Sequence, residues 1–501
     1  MLKLALPSIL ANITVPIVGM VDVAVAGHLD TAAATMIGGI AIGSMLFDLL
    51  YWNFGFLRVG TGGLAAQAYG KGDRAECARV LTRSLGIAFS CALLLIAIQW
   101  LFVKAAFVFV DCTPEVQALA SQYFFIRIWA APATLALMAL KGWFIGMQDS
   151  VSAMLTDLTV NGMNILMSIV LALGFSLGGW HYDGMGFPGV AAGTVAAQYS
   201  GLLVALVLLL VKYRRNTLAA LRRSELLAVF KGDQMRRFMS MNADLFVRSL
   251  CFIAIYIGFT VISARYGDTL LAVSSILMKL LMIFSYFTDG FAYAGEALVG
   301  RYVGAGDRQM YRQTVKWTFV WSMSIALIFM GIYHFAGVPM LQLMTSDVAV
   351  VDASREFLPW LLLMPVVGCA AFTWDGIYVG ATASRPMRNS MLWAVVAFVA
   401  VWAAGILLLD YAPAFFSSDL LAASPAPDPG LSPDLCSSLY SGQCSNLCSD
   451  LCPGLCPGLC SAPDAGLYNR LAMHILMAAY FAHLLARTIY LTVRYPLISR
   501  V

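Results

Sequence analysis

Residues 4–27 read LALPSILANITVPIVGMVDVAVAG, an apolar run broken by a single carboxylate, Asp22. Crossing a hydrocarbon core about 30 Å thick takes about 20 residues of helix, so this stretch reads as a first transmembrane helix. It starts almost at Met1 and lacks a small-residue cleavage motif, which argues against a removable leader. Similar windows recur near 34–60, 82–109, 118–146, 152–178 and 188–212, then near 240–263, 269–299, 314–337, 356–382, 390–411 and 468–493. The composition agrees: 60% of the chain is hydrophobic and only 12% charged. A water-facing domain carries charge on about a quarter of its residues, so lipid must be the solvent for most of this surface. The expected fold is an all-α membrane protein of twelve transmembrane helices.

Basic residues sort to alternate connections. Lys71, Arg74, Arg79 and Arg83, the run from Lys212 to Arg237, then Arg301, Arg308, Arg312, Lys316, Arg385, Arg388, Arg494 and Arg500 share one side; Arg265 and Arg355 stand opposite. By the positive-inside rule the basic side, with both termini, is cytoplasmic. The 212–237 run reads as a topogenic linker, and no nucleic-acid partner is expected.

Gly70-Lys-Gly-Asp73-Arg74 returns as Gly304-Ala-Gly-Asp307-Arg308, and Gly142 and Gly146 return as Gly376 and Gly380, each 234 residues on. Two anchors at one offset indicate duplication. Six spans per copy give a parallel repeat, the arrangement of transporters whose substrate cavity lies between two bundles. The expected organisation is an N-terminal six-helix lobe over 1–212, a cytoplasmic linker over 213–239 and a C-terminal six-helix lobe over 240–501. The second lobe carries a low-complexity outer loop at 415–466.

Leu6-Pro7-Ser-Ile-Leu-Ala-Asn12 with Val21-Asp22-Val-Ala-Val-Ala-Gly27-His28-Leu29 resembles the first helix of multidrug and toxic compound extrusion (MATE) transporters of the DinF-like branch. Asp289-Gly-Phe-Ala-Tyr-Ala-Gly-Glu296-Ala-Leu-Val-Gly300 and Trp374-Asp375-Gly-Ile-Tyr-Val-Gly380-Ala-Thr extend the resemblance. It implies a proton- or sodium-coupled antiporter in a bacterial inner membrane. Such a protein expels amphipathic, often cationic, small molecules by rocking two lobes, without a cofactor beyond the transported ion. We expect a monomer. The resemblance also ties the proline matching Pro7 and the acid matching Asp22 to bending of the first helix, and matches Asp22, Asn164, Ser168 and Thr194 to a cation site.

The residues themselves point the same way. A carboxylate within a spanning helix costs several kcal/mol unless protonated, paired or hydrated, which makes Asp22 the leading candidate for ion coupling. The competing reading is an aspartate reaching the outer interface. Pro7 and Pro16 each delete a backbone hydrogen bond in the same helix and allow it to bend. Asp157, Asn161, Asn164 and Ser168 share one face of the fifth span, and with Thr194 and Asp22 they make an expected oxygen-rich pocket. Interhelical hydrogen bonding would explain the small polar side chains equally. Ser168 stands where many relatives have a second carboxylate, which weighs against sodium because hard cations favour charged oxygens.

In the second lobe Lys279, Asp289, Glu296 and Asp375 are the expected cavity or gating charges, or else a salt bridge that fixes packing. Lys279 should have a carboxylate or water beside it. Asp48 has no assigned role.

Between Phe415 and Gly466 a tetrad register places Cys436, Cys444, Cys448, Cys452, Cys456 and Cys460 at three-residue spacers with no histidine near. This is not zinc spacing and reads as a tandem expansion whose thiols, outside the cytoplasm, can oxidise. No metal site is expected. The chain has no His-Glu-x-x-His, Gly-x-Ser-x-Gly or Gly-Lys-Ser/Thr motif, so no catalytic residues and no enzyme are expected. The rival function is a flippase of lipid-linked sugars, which would need a basic cavity; Lys279 is the one cation the sequence reading places there.

Overall fold

The computed structural model describes all residues except 28–32, 111, 178–179, 221–227, 231, 346, 423–464 and 499–501. Fourteen helices account for the spans: α1 Leu2–Gly27, α2 Ala33–Trp52, α3 Phe56–Gly70, α4 Arg74–Phe109, α5 Pro114–Arg127, α6 Ala131–Gly146, α7 Ser150–Leu173 and α8 Phe187–Tyr213 in the first half, followed by α9 Asp233–Ala264, α10 Asp268–Ala305, α11 Arg308–Met344, α12 Val348–Gly380, α13 Ser384–Ala422 and α14 Ala465–Ile498. α2 with α3, and α5 with α6, are single spans broken by a turn of 3₁₀ helix at Asn53–Gly55 and Ile128–Ala130. Among the described residues twelve helical stretches are long and apolar enough to cross a bilayer. Their outer faces carry Leu93, Leu101, Val211, Leu408 and Val493, all more than 65% exposed, as a lipid-facing surface requires.

Three differences from the expected boundaries bear on the site and the outer loop. The fifth span ends at Leu173, because Gly174 takes a positive φ of 78° and the chain enters a short hairpin pairing Phe175 with Tyr182. The second span runs on to Gly70, which puts Arg58 inside the bundle. Residues 415–422 continue α13 instead of opening a loop; the six-cysteine segment lies outside the described residues.

The duplication is visible at the seam where α3 crosses α10. A Cβ on Gly70 would overlap the Arg301 carbonyl, and one on Gly304 the Gln67 carbonyl; 67 and 301 are themselves 234 apart. Gln67 Nε2 donates to Thr382 Oγ1 (3.0 Å), while Arg301 Nη1 donates to Gln148 Oε1 (3.0 Å), again one repeat apart. Gln148 and Thr382 also share a strained backbone, with φ of 63° and 53°, a conformation that β-branched residues rarely adopt. This seam lies at the end of the bundle that carries the basic loops. α1 packs on α7 and reaches across to α10, where Asn12 Nδ2 donates to the Tyr286 carbonyl (3.3 Å).

Candidate functional site

Two polar sites lie inside the bundle. In the first half, Asp22 Oδ1 on α1 accepts from Ser168 Oγ on α7 at 2.9 Å. The same hydroxyl is 3.2 Å from Asn164 Oδ1, and Asn164 Nδ2 donates to Thr194 Oγ1 on α8 at 3.1 Å. All four residues are buried. α8 comes this close because Gly193 lies directly against the Ser168 backbone, where a Cβ would meet the Ser168 nitrogen at 2.6 Å.

The stripe on α7 does not act as one pocket. Asn161 donates instead to Thr14 on α1, and Asp157, about three turns from Ser168, forms an ion pair with Lys141 of α6. Lys141 is an ammonium in a spanning helix and needs a counter-charge, so it takes the nearest carboxylate. Pro7 and Pro16 both lie inside α1, which stays one helix from Leu2 to Gly27.

Between the halves lies a cavity of about 500 Å³, lined by Arg58, Lys141, Arg248, Asp289, Glu296 and Asp375 among others. Arg58 Nη1 sits 3.3 Å from Glu296 Oε2, and its guanidinium stacks over Tyr293 at 4.2 Å. Gly62, one turn along α3 from Arg58, leaves the room that the Glu296 carboxylate fills. Asp375 Oδ2 accepts from Arg248 and Arg487 together, each at 2.5 Å. Asp289 makes no ion pair within 4 Å among the described residues but lies within electrostatic reach of Arg58 and Arg248.

Lys279 departs from expectation. It is exposed, forms no ion pair among the described residues and does not line the cavity. Spacings of three and four place it on the same face of α10 as Met282, Tyr286, Asp289, Tyr293 and Glu296, one turn beyond the lining. The cavity ion pairs belong to cations the sequence reading passed over: Arg58, Lys141, Arg248 and Arg487. Arg127, within electrostatic reach of Asp22 and Asp48, is another cation that the sequence reading passed over. Each lies within an apolar window, and that position was the available signal, since an ionisable group there is a functional candidate by default.

A model of the MatE family matches residues 7–170 and 245–407, one match in each half. The chain belongs to the MatE family. It is a membrane transporter of this multidrug-efflux family, with small-molecule transport as the shared setting. Among its relatives is DNA damage-inducible protein F of Escherichia coli (strain K12), 34% identical over 397 residues that cover 79% of this chain and 83% of that protein. Protein DETOXIFICATION 44, chloroplastic, of Arabidopsis thaliana is 23% identical over 83% of this chain and 77% of its own. A solved outward-facing multidrug resistance MATE family transporter superposes with a TM-score of 0.76 at 12% identity, covering 99% of this chain and 95% of that one. This likeness shows the MatE fold.

Proposed function

We propose that the protein is a proton-coupled antiporter that exports amphipathic small molecules, often cationic, by alternating access across a bacterial inner membrane, with both termini cytoplasmic. Asp22 carries the proton. The observation behind this reading is the hydrogen-bonded set of the first-half pocket. It holds one carboxylate, and its oxygens already accept from Ser168 and Asn164. A proton needs one lone pair of Asp22, whereas a hard metal cation needs several oxygens turned toward it. Protonation also relieves the cost of an ionised carboxylate in a buried site. Since Asp22 lies outside the cavity lining, substrate and proton occupy different sites, and α1, packed on both α7 and α10, is the element able to link them.

The charge balance of the cavity favours export of such compounds over flipping of a diphosphate-linked sugar. Arg58, Lys141, Arg248 and Arg487 are matched by Glu296, Asp157, Asp375 and Asp289, so there is no excess of positive charge for a diphosphate. Asp22→Asn tests the central residue: the amide mimics the protonated acid but cannot titrate, so folding should persist and gradient-driven efflux should vanish. Wild-type efflux in the variant would refute the assignment.

A further inference from the structure

We infer that the basic end of the seam between α3 and α10 holds a binding site for a phosphate-type anion, which bridges the two halves of the protein. The site shares no residue with the central cavity or with the Asp22 pocket, so it holds whichever ion drives transport.

It is a second cavity, of about 540 Å³, where the Gly70-Lys71-Gly72 turn of the first half meets α10 of the second. Lys71 and Arg74 line it from one half and Arg301 from the other, against one carboxylate, Asp307. All three cations are exposed, so a ligand can reach them, and none forms an ion pair among the described residues. Asp307 is engaged in capping α11, where it accepts from the Met310 backbone nitrogen at 3.0 Å. Like charges gathered across a seam repel, and an anion placed among them turns that repulsion into attraction.

Arg301 is held in position by both halves. Its Nη1 donates to Gln148 Oε1 at 3.0 Å, and its guanidinium lies 5.8 Å from the Tyr69 ring of α3 and 5.7 Å from the Tyr302 ring of α10, within cation–π range of each. Its Nε and Nη2 make no hydrogen bond among the described residues. That edge of a guanidinium pairs with two oxygens of one anion. A planar carboxylate would be used up by this fork, whereas a tetrahedral phosphate keeps further oxygens for Lys71 and Arg74.

The duplication separates this charge from what the seam itself needs. Arg301 and Lys71 correspond, 234 residues apart, to Gln67 and Ala305 in the other copy. There the same backbone approach is closed by a neutral amide, Gln67 Nε2 on Thr382 Oγ1 at 3.0 Å, with no cation at Ala305. Of the three cations, Arg74 alone has a counterpart of like charge, Arg308. Packing therefore does not require Lys71 or Arg301 to be charged. Charge sorting across a bilayer asks for basic residues on this side, but not for three of them in one cavity. Basic pockets between spanning helices receive the headgroups of anionic lipids, and free phosphate offers the same oxygens.

The test is titration of the purified full-length protein in neutral detergent, read by melting temperature. The probes are short-chain phosphatidylglycerol, phosphatidylcholine of the same chain length, and sodium phosphate against sodium chloride at equal ionic strength. Phosphatidylglycerol should raise the melting temperature saturably and phosphatidylcholine should not. A rise with phosphatidylglycerol alone makes the ligand a lipid headgroup, and a rise with phosphate as well makes it phosphate from either source. Lys71→Ala with Arg301→Gln installs the residues of the other copy, so the fold should persist while the apparent affinity falls at least about tenfold. Asp307→Asn, which keeps a capping side chain, should raise the affinity. The absence of a shift with both anions overturns the inference, and so does a shift of equal affinity in the double variant, which would be a general salt or detergent effect. If the double variant does not fold, Lys71→Ala alone must weaken binding, and unchanged affinity overturns the inference equally.

Discussion

Arg58 of α3 and Glu296 of α10 form an ion pair across the two halves of the molecule, Nη1 to Oε2 at 3.3 Å, on the floor of the cavity. Glu296 is 1% exposed and its second oxygen, Oε1, has no hydrogen-bond partner, so the carboxylate depends on Arg58. Removing one member of a buried pair leaves an uncompensated charge and costs about 3 kcal/mol; removing both costs much less than the sum. Arg58→Ala is expected to lower the melting temperature of the detergent-solubilised protein clearly, and Glu296→Gln in the same chain to recover part of it. Additive losses would mean that the two residues do not act as a pair.

The seam at the basic end depends on two glycines. Leucine at Gly70 or Gly304 would drive a side chain into the opposite helix backbone, which cannot yield as a flexible side chain can. Either variant should hold α3 and α10 apart there, raise thiol labelling of Thr382→Cys by a reagent on that side and depress efflux. Labelling and efflux at wild-type levels would show that the contact is dispensable.

Asp149 closes the turn between α6 and α7. It caps α7 through the Ser152 backbone nitrogen and accepts from Ser152 Oγ, Lys212 and Tyr213. Burial raises its pKa, but the bonds from Ser152 and Lys212 outweigh that and hold it below the ordinary carboxylate value. A depressed folded-state pKa adds stability that is present above the unfolded value and lost as pH falls through the folded one. Asp149→Asn should therefore cost about 1 kcal/mol or less at neutral pH, Lys212 being partly exposed. The difference from wild type should shrink below about pH 4. A deficit independent of pH would assign the loss to shape instead of charge.

Hydropathy and charge sorting made the twelve spans legible, because a bilayer demands long apolar helices whatever their packing. The repeat was legible for a related reason. Gly70, Gly142, Gly146 and their partners are places where backbones touch, and no other residue fits there. Asn164 and Ser168 share a face as their spacing suggested, and Asp22 and Thr194 lie with them as the family resemblance implied. Asp157 does not join them, because its partner Lys141 sits on a different helix, and facing relations between helices are invisible in one chain's periodicity. Arg58, Arg127, Arg248 and Arg487 were hidden by averaging: one charge barely lowers the hydropathy of a long window. Lys279 misled for the opposite reason, since a stripe shared with Glu296 shows which face a residue takes and not how far the cavity extends.

The central claim is that a proton moves through the Asp22 pocket. Purified protein in liposomes, loaded with a fluorescent amphipathic cation and given either a proton gradient at equal sodium or a sodium gradient at equal pH, measures it directly. The account predicts efflux with the proton gradient, none with sodium alone, and none in either case with Asp22→Asn. Efflux that follows sodium at fixed pH and ignores the proton gradient would contradict it.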